Sequence, residues 1–446
     1  MRTHLPIATL ITLTLSSCAL AQAQQPTPLT LADALAYAIN HNPRLAAAVE
    51  RVQQARAGVS LADAANDPTF ELQASARVQG PLQEIRIPIP PAGRTIALNR
   101  VVQADAGVAV AWPLWTGGRV TAAVDAARAQ VDATEADLQQ ATEQLLFEVA
   151  SGYYGVLRAH SSRAATQAAL ARAEEDLRTT RATRAAGTAT AATLAAAEAA
   201  ARQAEEAVAA AQTALADAEQ TLNHLLGRNL NDLAALAPEP VTIGQPAAPG
   251  EAVSVALTTR PELLALAERQ DAAKAAIAQA QAERNPALSL VGQAQLQTRT
   301  DVLKGHAEFA GLQFTWPIIA YDAPRARERR ARAALRELKA TEAELRDLIA
   351  YQVGEAARRV DDALEEVAAT EQALQAAAVA ASEARASYEA GAATRQQMVA
   401  AASALEQARA RRAQADYGLS VAQVTSARAL GLLRALFLAP TEEAGA

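Results

Sequence analysis

Phe70-Glu71-Leu72-Gln73-Ala74-Ser75-Ala76-Arg77-Val78-Gln79 alternates apolar and polar side chains without a break. A period of two over ten residues predicts a strand with one apolar and one polar face. Val102, Ala104, Ala106, Val108, Val110 and Trp112 make a second such row. Leu288, Leu290, Ala294 and Leu296 make a third, which Val291 interrupts. Ala310, Leu312, Phe314 and Trp316 make a fourth, less cleanly. A run of about ten residues is the length a tilted strand needs to cross a bilayer. Trp112 and Trp316 close their rows, where an interfacial aromatic would sit. A half-buried sheet over a soluble core is the competing reading, but few large residues elsewhere could cover one.

The rest of the chain reads as helix. It has 446 residues, 51% hydrophobic but only 3% aromatic, and Ala alone supplies roughly a quarter, which favours long, closely packed helices. From Thr121 to Ala185 there is no proline, and Val124, Val131, Leu138 and Leu145 recur every seven residues. Val353, Val360, Val367 and Leu374 repeat the pattern within Arg325 to Glu389. Heptad spacing marks coiled-coil packing. Each long helix stops at a single glycine, Gly187 or Gly391, before a second helix returns. A glycine just past a helix end supplies the left-handed residue that ends it. Shorter helices are expected at about Leu31 to Asp63 and Ala252 to Arg284.

The chain is duplicated. Trp112-Pro113 recurs as Trp316-Pro317, Gly187 as Gly391 and Gly227 as Gly431, all offset by 204 residues. Asn42-Pro43-Arg44-Leu45 recurs as Arg260-Pro261-Glu262-Leu263 with an offset of 218. The first copy therefore holds 14 extra residues, placed in the Pro-rich stretch Pro81 to Arg100. The expected organisation is a first repeat over 29–227, with strands at about 68–79 and 101–112. A linker over 228–250 follows. The second repeat spans 251–431, with strands at about 287–297 and 307–316, and a tail covers 432–446. Each half reads helix, strand, strand, long helix, long helix.

The N-terminus reads as an export signal over residues 1–23: Arg2, an apolar Leu5 to Leu15, then Ala19-Leu20-Ala21 and Ala21-Gln22-Ala23. Leu15-Ser16-Ser17-Cys18 also resembles a lipobox, so removal or lipidation of Cys18 are both open. The single Cys excludes a disulfide framework within the chain. A net charge of -7 gives no electrostatic case for nucleic acid. No phosphate-binding Gly loop, nucleophile elbow or metal-ligand spacing is present, so neither enzyme chemistry nor a cofactor has residues to use. Four strands cannot close a barrel, and lipid does not tolerate an open sheet edge. A membrane reading therefore requires oligomerisation. A periplasmic coiled-coil adaptor or scaffold without a pore is the alternative, and it leaves the four strands unexplained.

Taken in order, these elements resemble the TolC-like outer-membrane efflux channel family. They are Leu29-Thr30-Leu31-Ala32-Asp33-Ala34-Leu35 with Asn42-Pro43, Trp112-Pro113-Leu114 with Gly117-Gly118-Arg119, Ala186-Gly187, and Leu225-Leu226-Gly227. The second half matches with Arg260-Pro261-Glu262-Leu263, Trp316-Pro317, Ala390-Gly391 and Leu430-Gly431. The resemblance implies a mainly α fold with a transmembrane β-barrel portion: a homotrimer whose twelve-stranded barrel continues into a twelve-helix periplasmic tunnel. It also implies a passive export duct in the outer membrane, working with a periplasmic adaptor and an inner-membrane pump, or in type I secretion. The adaptor would dock at the tips, around Arg184, Gly187, Thr188, Tyr388, Gly391 and Ala392. Some family members carry Asp six residues past each tip glycine, whereas here Thr193 and Gln397 stand there. Arg178, Arg181, Thr193, Glu389 and Gln397 are the gate candidates. The three-residue spacing of Arg178, Arg181 and Arg184 puts them on one helix face, and these charges with Glu383 and Glu389 are expected to pair across neighbouring helices. Arg325, Arg327, Arg329, Arg330 and Arg332 cluster at the top of a long helix, just inside the expected barrel, where anionic headgroups, a lumen lining or plain solvent could face them.

Overall fold

The computed structural model describes residues 28–78, 80, 84–88, 93–97, 102–232, 235–238, 249–297, 305–318 and 322–438. The signal segment and Cys18 lie outside the described residues.

The first repeat opens with α1 (Leu31–His41) and α2 (Pro43–Asp63). One helix over 31–63 was the expectation, and Asn42-Pro43 divides it. Pro43 has no N–H to donate, and its ring drives the preceding residue out of the helical region. Asn42 accordingly takes φ -74, ψ 121, and its side chain caps α2 by accepting from Arg44 N at 2.8 Å. The second repeat breaks in the same way at Arg260-Pro261, between α5 (Pro249–Thr259) and α6 (Pro261–Ala282).

Strands β1 (Thr69–Val78), β2 (Glu84–Ile87), β3 (Arg94–Ala97) and β4 (Val102–Trp115) follow in the first repeat, and β5 (Ala287–Gln297) and β6 (His306–Thr315) in the second. The inserted Pro-rich stretch holds a separate small hairpin, β2–β3. The other four strands form one antiparallel sheet ordered β1-β4-β5-β6. Each repeat thus contributes a hairpin, and β4 with β5 joins them.

The long helices are α3 (Arg119–Ala185) and α4 (Ala191–Leu226), then α7 (Asp322–Glu389) and α8 (Arg395–Ala429). At 1.5 Å per residue, α3 is about 100 Å long. It packs against α2, α4, α6 and α8, while α7 packs against α5, α6 and α8. The main core lies midway, where Leu35, Leu146, Val149, Tyr153, Tyr154, Leu226, Val424 and Leu433 are buried. Each such side chain contributes ~1.5–3 kcal/mol by leaving water. Tyr153 Oη lies 2.9 Å from Leu29 O and 2.6 Å from Ala237 O, so it ties the linker to the start of the repeat. Leu433 begins α9 (Leu433–Leu438), a short helix docked on α3 where only a tail was expected. Toward the tips the burial fades: Val353 and Val360 are buried, Val367 and Leu374 only half-buried. A lone helical hairpin covers one stripe of each helix and leaves the others bare.

The two X-Pro corners dock alike. Asn42 Nδ2 donates to Leu225 O at 2.7 Å, and Arg260 Nε donates to Ala429 O at 2.8 Å. Each acceptor lies two residues before a glycine with positive φ, Gly227 or Gly431. A Cβ on Gly227 would lie 2.6 Å from His41 O. That glycine is needed both for its backbone conformation and for the close approach of the corner.

Candidate functional site

Cross-strand register assigns every strand residue to a face. On β1, β4, β5 and β6, Leu72 is opposite Val108, Val108 opposite Ala294, and Trp112 opposite Leu290, itself opposite Leu312. One face is therefore apolar across all four strands, from Phe70 to Phe314. Many of its side chains are bare, Leu72 being 80% exposed and Leu312 66%, while Val110, Leu288 and Leu290 are half-buried. The opposite face carries Glu71, Gln73, Ser75, Arg77, Asp105, Gln293, Gln295 and Gln313, with Arg77 3.6 Å from Asp105. The exceptions on the apolar face are Glu308, opposite Ala294, and His306, opposite Leu296. A large uncovered apolar face marks an interaction or membrane surface.

The aromatic rim differs from expectation in one respect. Trp112 does not end its strand. A register shift between Pro113 and Trp115 carries β4 on to Trp115, which is half-exposed beside Trp112. Pro113 supplies no N–H to the ladder, and a bulge is where such a residue fits. Trp316 follows β6 directly and is 54% exposed. Three tryptophans thus mark the helix-proximal edge of the apolar face.

Both tips are closed by the same bonds. Gly187 has φ +81; Thr188 N donates to Thr183 O at 3.0 Å and Gly187 N to Arg184 O at 3.0 Å. At the second tip Gly391 has φ +74; Ala392 N donates to Ser387 O at 2.8 Å and Gly391 N to Tyr388 O at 3.0 Å. This pair of hydrogen bonds satisfies carbonyls that a helix end leaves orphaned. The N-cap of the next helix lies three residues past each glycine. Thr190 accepts from Thr193 N at 3.1 Å and Thr394 from Gln397 N at 3.2 Å. Gln397 Oε1 also accepts from Thr394 N at 2.8 Å, completing a capping box. Thr193 and Gln397 are therefore occupied in cap geometry.

Within one chain, Arg181 pairs with the neighbouring helix, but none of the three tip arginines meets Glu383 or Glu389. Arg178 binds Glu175 on its own helix, at 2.9 and 2.5 Å. Arg181 reaches Glu198 within its own hairpin at 3.4 Å, Arg184 donates to Ala189 O at 3.0 Å, and Glu389 accepts from Arg385, four residues back, at 3.0 Å. Among the described residues Glu383 has no ion pair. At the tips, among the described residues, side-chain bonds between the hairpins come from Arg395 and Gln396 at the start of α8. Arg395 Nε lies 3.5 Å from Glu175 Oε2, and Gln396 Nε2 donates to Asp176 Oδ1 at 2.8 Å. Glu175 is almost fully covered. Its hydrogen bonds from Arg178 hold the carboxyl below its ordinary range, with the nearby Arg395 charge adding to the effect against the cost of burial. The residues equivalent to Arg395 and Gln396 in the first repeat are Ala191 and Ala192, and that break in the repeat was the available signal.

Below the strands, Arg327 pairs with Glu283 at 2.6 Å, and Arg332 and Arg284 with Glu328 at 2.7 and 3.4 Å. Among the described residues no group of three or more His, Cys, Asp or Glu could hold a metal ion. No described helix is long and apolar enough to cross a membrane.

An apolar sheet rimmed by tryptophan, standing on coiled-coil hairpins about 100 Å long, defines a membrane-anchored helical duct subunit. The chain matches the family described as outer membrane efflux protein over residues 34–228 and 252–432, and it belongs to that family. It is thus an outer-membrane channel component of an efflux system. No curated protein matches the sequence at a significant level. Among solved structures, the outer-membrane channel OprN is 23% identical, with 90% of this chain and 89% of that one aligned at a TM-score of 0.70. The Campylobacter jejuni CmeC outer membrane channel is 16% identical, covering 97% and 94% at a TM-score of 0.72. The Neisseria gonorrhoeae MtrE outer membrane channel, in its open state, is 19% identical, covering 90% and 88% at 0.69.

Proposed function

We propose that three copies of this chain close their sheets into a twelve-stranded barrel and their helices into a periplasmic tunnel, forming a passive export duct. The observation that carries the reading is the four-stranded sheet, apolar on one face save for Glu308 and His306 and, among the described residues, unpaired at both edges, β1 and β6. In lipid, unpaired N–H and C=O groups at such edges cost several kcal/mol each. A neighbouring copy removes that cost by pairing β6 with β1. The polar face then lines the lumen. The tip hairpins are the gate and the docking end for a periplasmic adaptor, which links the duct to an inner-membrane pump.

Closure of the gate rests on Glu175 and Asp176 of the first hairpin held by Arg395 and Gln396 of the second. Opening requires the hairpins to part, and these side-chain bonds at the tips part with them. The mass of the protein extracted in mild detergent from outer-membrane fractions, corrected for bound detergent, tests the assembly. A trimer is expected; a dimer or tetramer overturns the stoichiometry, and a monomer released without detergent overturns the pore. Single-channel conductance tests the gate. Arg395→Ala should raise it, while Arg181→Ala, which removes a contact within one hairpin, should not. Equal conductance for wild type and Arg395→Ala would refute the clamp.

A further inference from the structure

A cavity of ≈ 400 Å³ lies between α3, α6, α7 and α8, beside the X-Pro corner of the second repeat. Its wall is densely charged. Arg260, at the corner just before α6, is buried there, bonded to Ala429 O and, through its second nitrogen, to Gln352 Oε1 at 2.7 Å. On α7, Glu355 and Arg359 pair with each other at 2.6 Å. Arg428 of α8 stacks over the Phe147 ring, 4.5 Å from its centroid. Arg434 of α9 adds a further positive charge from just outside the lining. Two carboxylates remain, Glu143 of α3 and Glu262 of α6. Among the described residues neither has a hydrogen bond or an ion pair.

The first repeat treats the same corner differently. Glu262 is the counterpart of Arg44 by the offset of 218, and Arg44 is paired with Glu148 of α3 at 2.8 Å. One corner therefore carries a matched charge against α3, and the other sets two unpaired carboxylates, Glu262 and Glu143 of α3, in the wall of one cavity. Burial, and next the repulsion of Glu262, push Glu143 up to about 7, against the opposing pull of Arg260, Arg428 and Arg434. Two acids that share a site relieve their repulsion when one holds a proton.

We propose that Glu143 makes this cavity a proton-operated joint between the tunnel wall and the second X-Pro corner. With its proton in place, Glu143 faces Glu262 as a neutral acid, and the four helices stay closed around the cavity. When the proton passes to solvent, two carboxylates repel across the seam of α3 and α6. The corner at Arg260-Pro261 then loosens from the end of α8. The sign follows from the raised affinity for the proton. The tightening is fully present below the ordinary carboxylate range and is lost as pH rises through about 7. The first corner, with Arg44 and Glu148 matched, stays tight throughout. The joint lies within one chain and does not depend on the number of copies in the duct.

Ala356 lines the cavity and is 3% exposed. An Ala356→Cys variant of the full chain, in mild detergent, reports the joint through its alkylation rate. Glu205→Cys, at an exposed site on α4, corrects for the pH dependence of the thiol itself. The ratio of the two rates should rise roughly fivefold or more between pH 6 and 8, with a midpoint near that of Glu143. Adding Glu143→Gln should flatten the profile at its low, acid value, and Glu262→Gln should move the midpoint to lower pH. A profile unchanged by Glu143→Gln, or flat in its absence, overturns the proposal. Hydrogen exchange over 259–266 and 425–432 in the unsubstituted chain gives a second reading free of the cysteine. Protection there, corrected for intrinsic rates, should fall across the same interval, and constant protection would likewise overturn the joint.

Discussion

Leu72→Arg tests the membrane face most directly. Leu72 projects from β1 on the apolar side, opposite Val108, and is 80% exposed in the chain. Val108 lies four residues along β4 from Trp112, which is ~14 Å along the strand and ~10 Å upward at a tilt of ~40°. An apolar band about 25 Å tall puts that row close to mid-depth. Arginine at mid-depth costs ~2–4 kcal/mol, which lowers the folded-to-unfolded ratio roughly 30- to 900-fold. In water, the same change at so exposed a site would alter stability by ~0.5 kcal/mol or less. Gln73→Arg, one residue along and on the polar face, is the matched control. Leu290→Arg is a weaker probe, because its register opposite Trp112 puts it at the rim, where the cost falls to ~0–1 kcal/mol. Urea titration of the protein folded into lipid vesicles measures the difference. If Leu72→Arg and Gln73→Arg shift the midpoint equally, the assignment of the two faces is wrong.

Glu308 is opposite Ala294, in the same row as Leu72 and Val108, and on the same face. Glu308→Leu should therefore stabilise the vesicle-folded protein, by ~1 kcal/mol, and a loss of stability would show that Glu308 points elsewhere. Gly227→Ala should cost more than Gly187→Ala in the thermal midpoint of the detergent-extracted protein. Both glycines have positive φ, worth ~1–2 kcal/mol to any other residue, but only Gly227 also meets backbone, at 2.6 Å. The gate clamp should weaken in acid. Glu175 is held below its ordinary range by Arg178, so its ionic bonds persist above that range and are lost as pH falls through the lowered value. Mean conductance should rise on that acid limb in wild type and stay level in Arg395→Ala; a rise of the same size in both would separate the acid effect from the clamp.

Much of this architecture was legible as local periodicity. Alternation of Phe70 to Val78 specified a two-faced strand, heptads of Val and Leu specified long coiled-coil helices, and Gly187 and Gly391 specified their reversals. Each of those signals is contained within a few turns or a few residue pairs, so no distant partner is needed to read it. The duplication was legible for the same reason, since landmarks such as Trp112-Pro113 and Trp316-Pro317 repeat at one spacing. Even the helix breaks at Asn42-Pro43 and Arg260-Pro261 were written in the chemistry of proline, although the apolar pattern runs across them.

The tertiary structure decided which distant groups meet. Arg395 finds Glu175 across 220 residues of chain because α3 and α8 lie side by side in one register, and a shift of one turn would give either residue another partner. The same holds for the corners: Asn42 and Arg260 share little chemistry, yet each donates to the carbonyl two residues before its repeat's closing glycine. The bulge that extends β4 to Trp115 arises from pairing with β5, not from β4 alone. Glu143 reads in the sequence as one more charge on a helical surface. Its proton affinity comes from the cavity that closes over it and from Glu262, whose counterpart in the other repeat is an arginine. Periodicity is set by the chain's own geometry, whereas desolvation and charge pairing depend on what packing brings within a few ångströms.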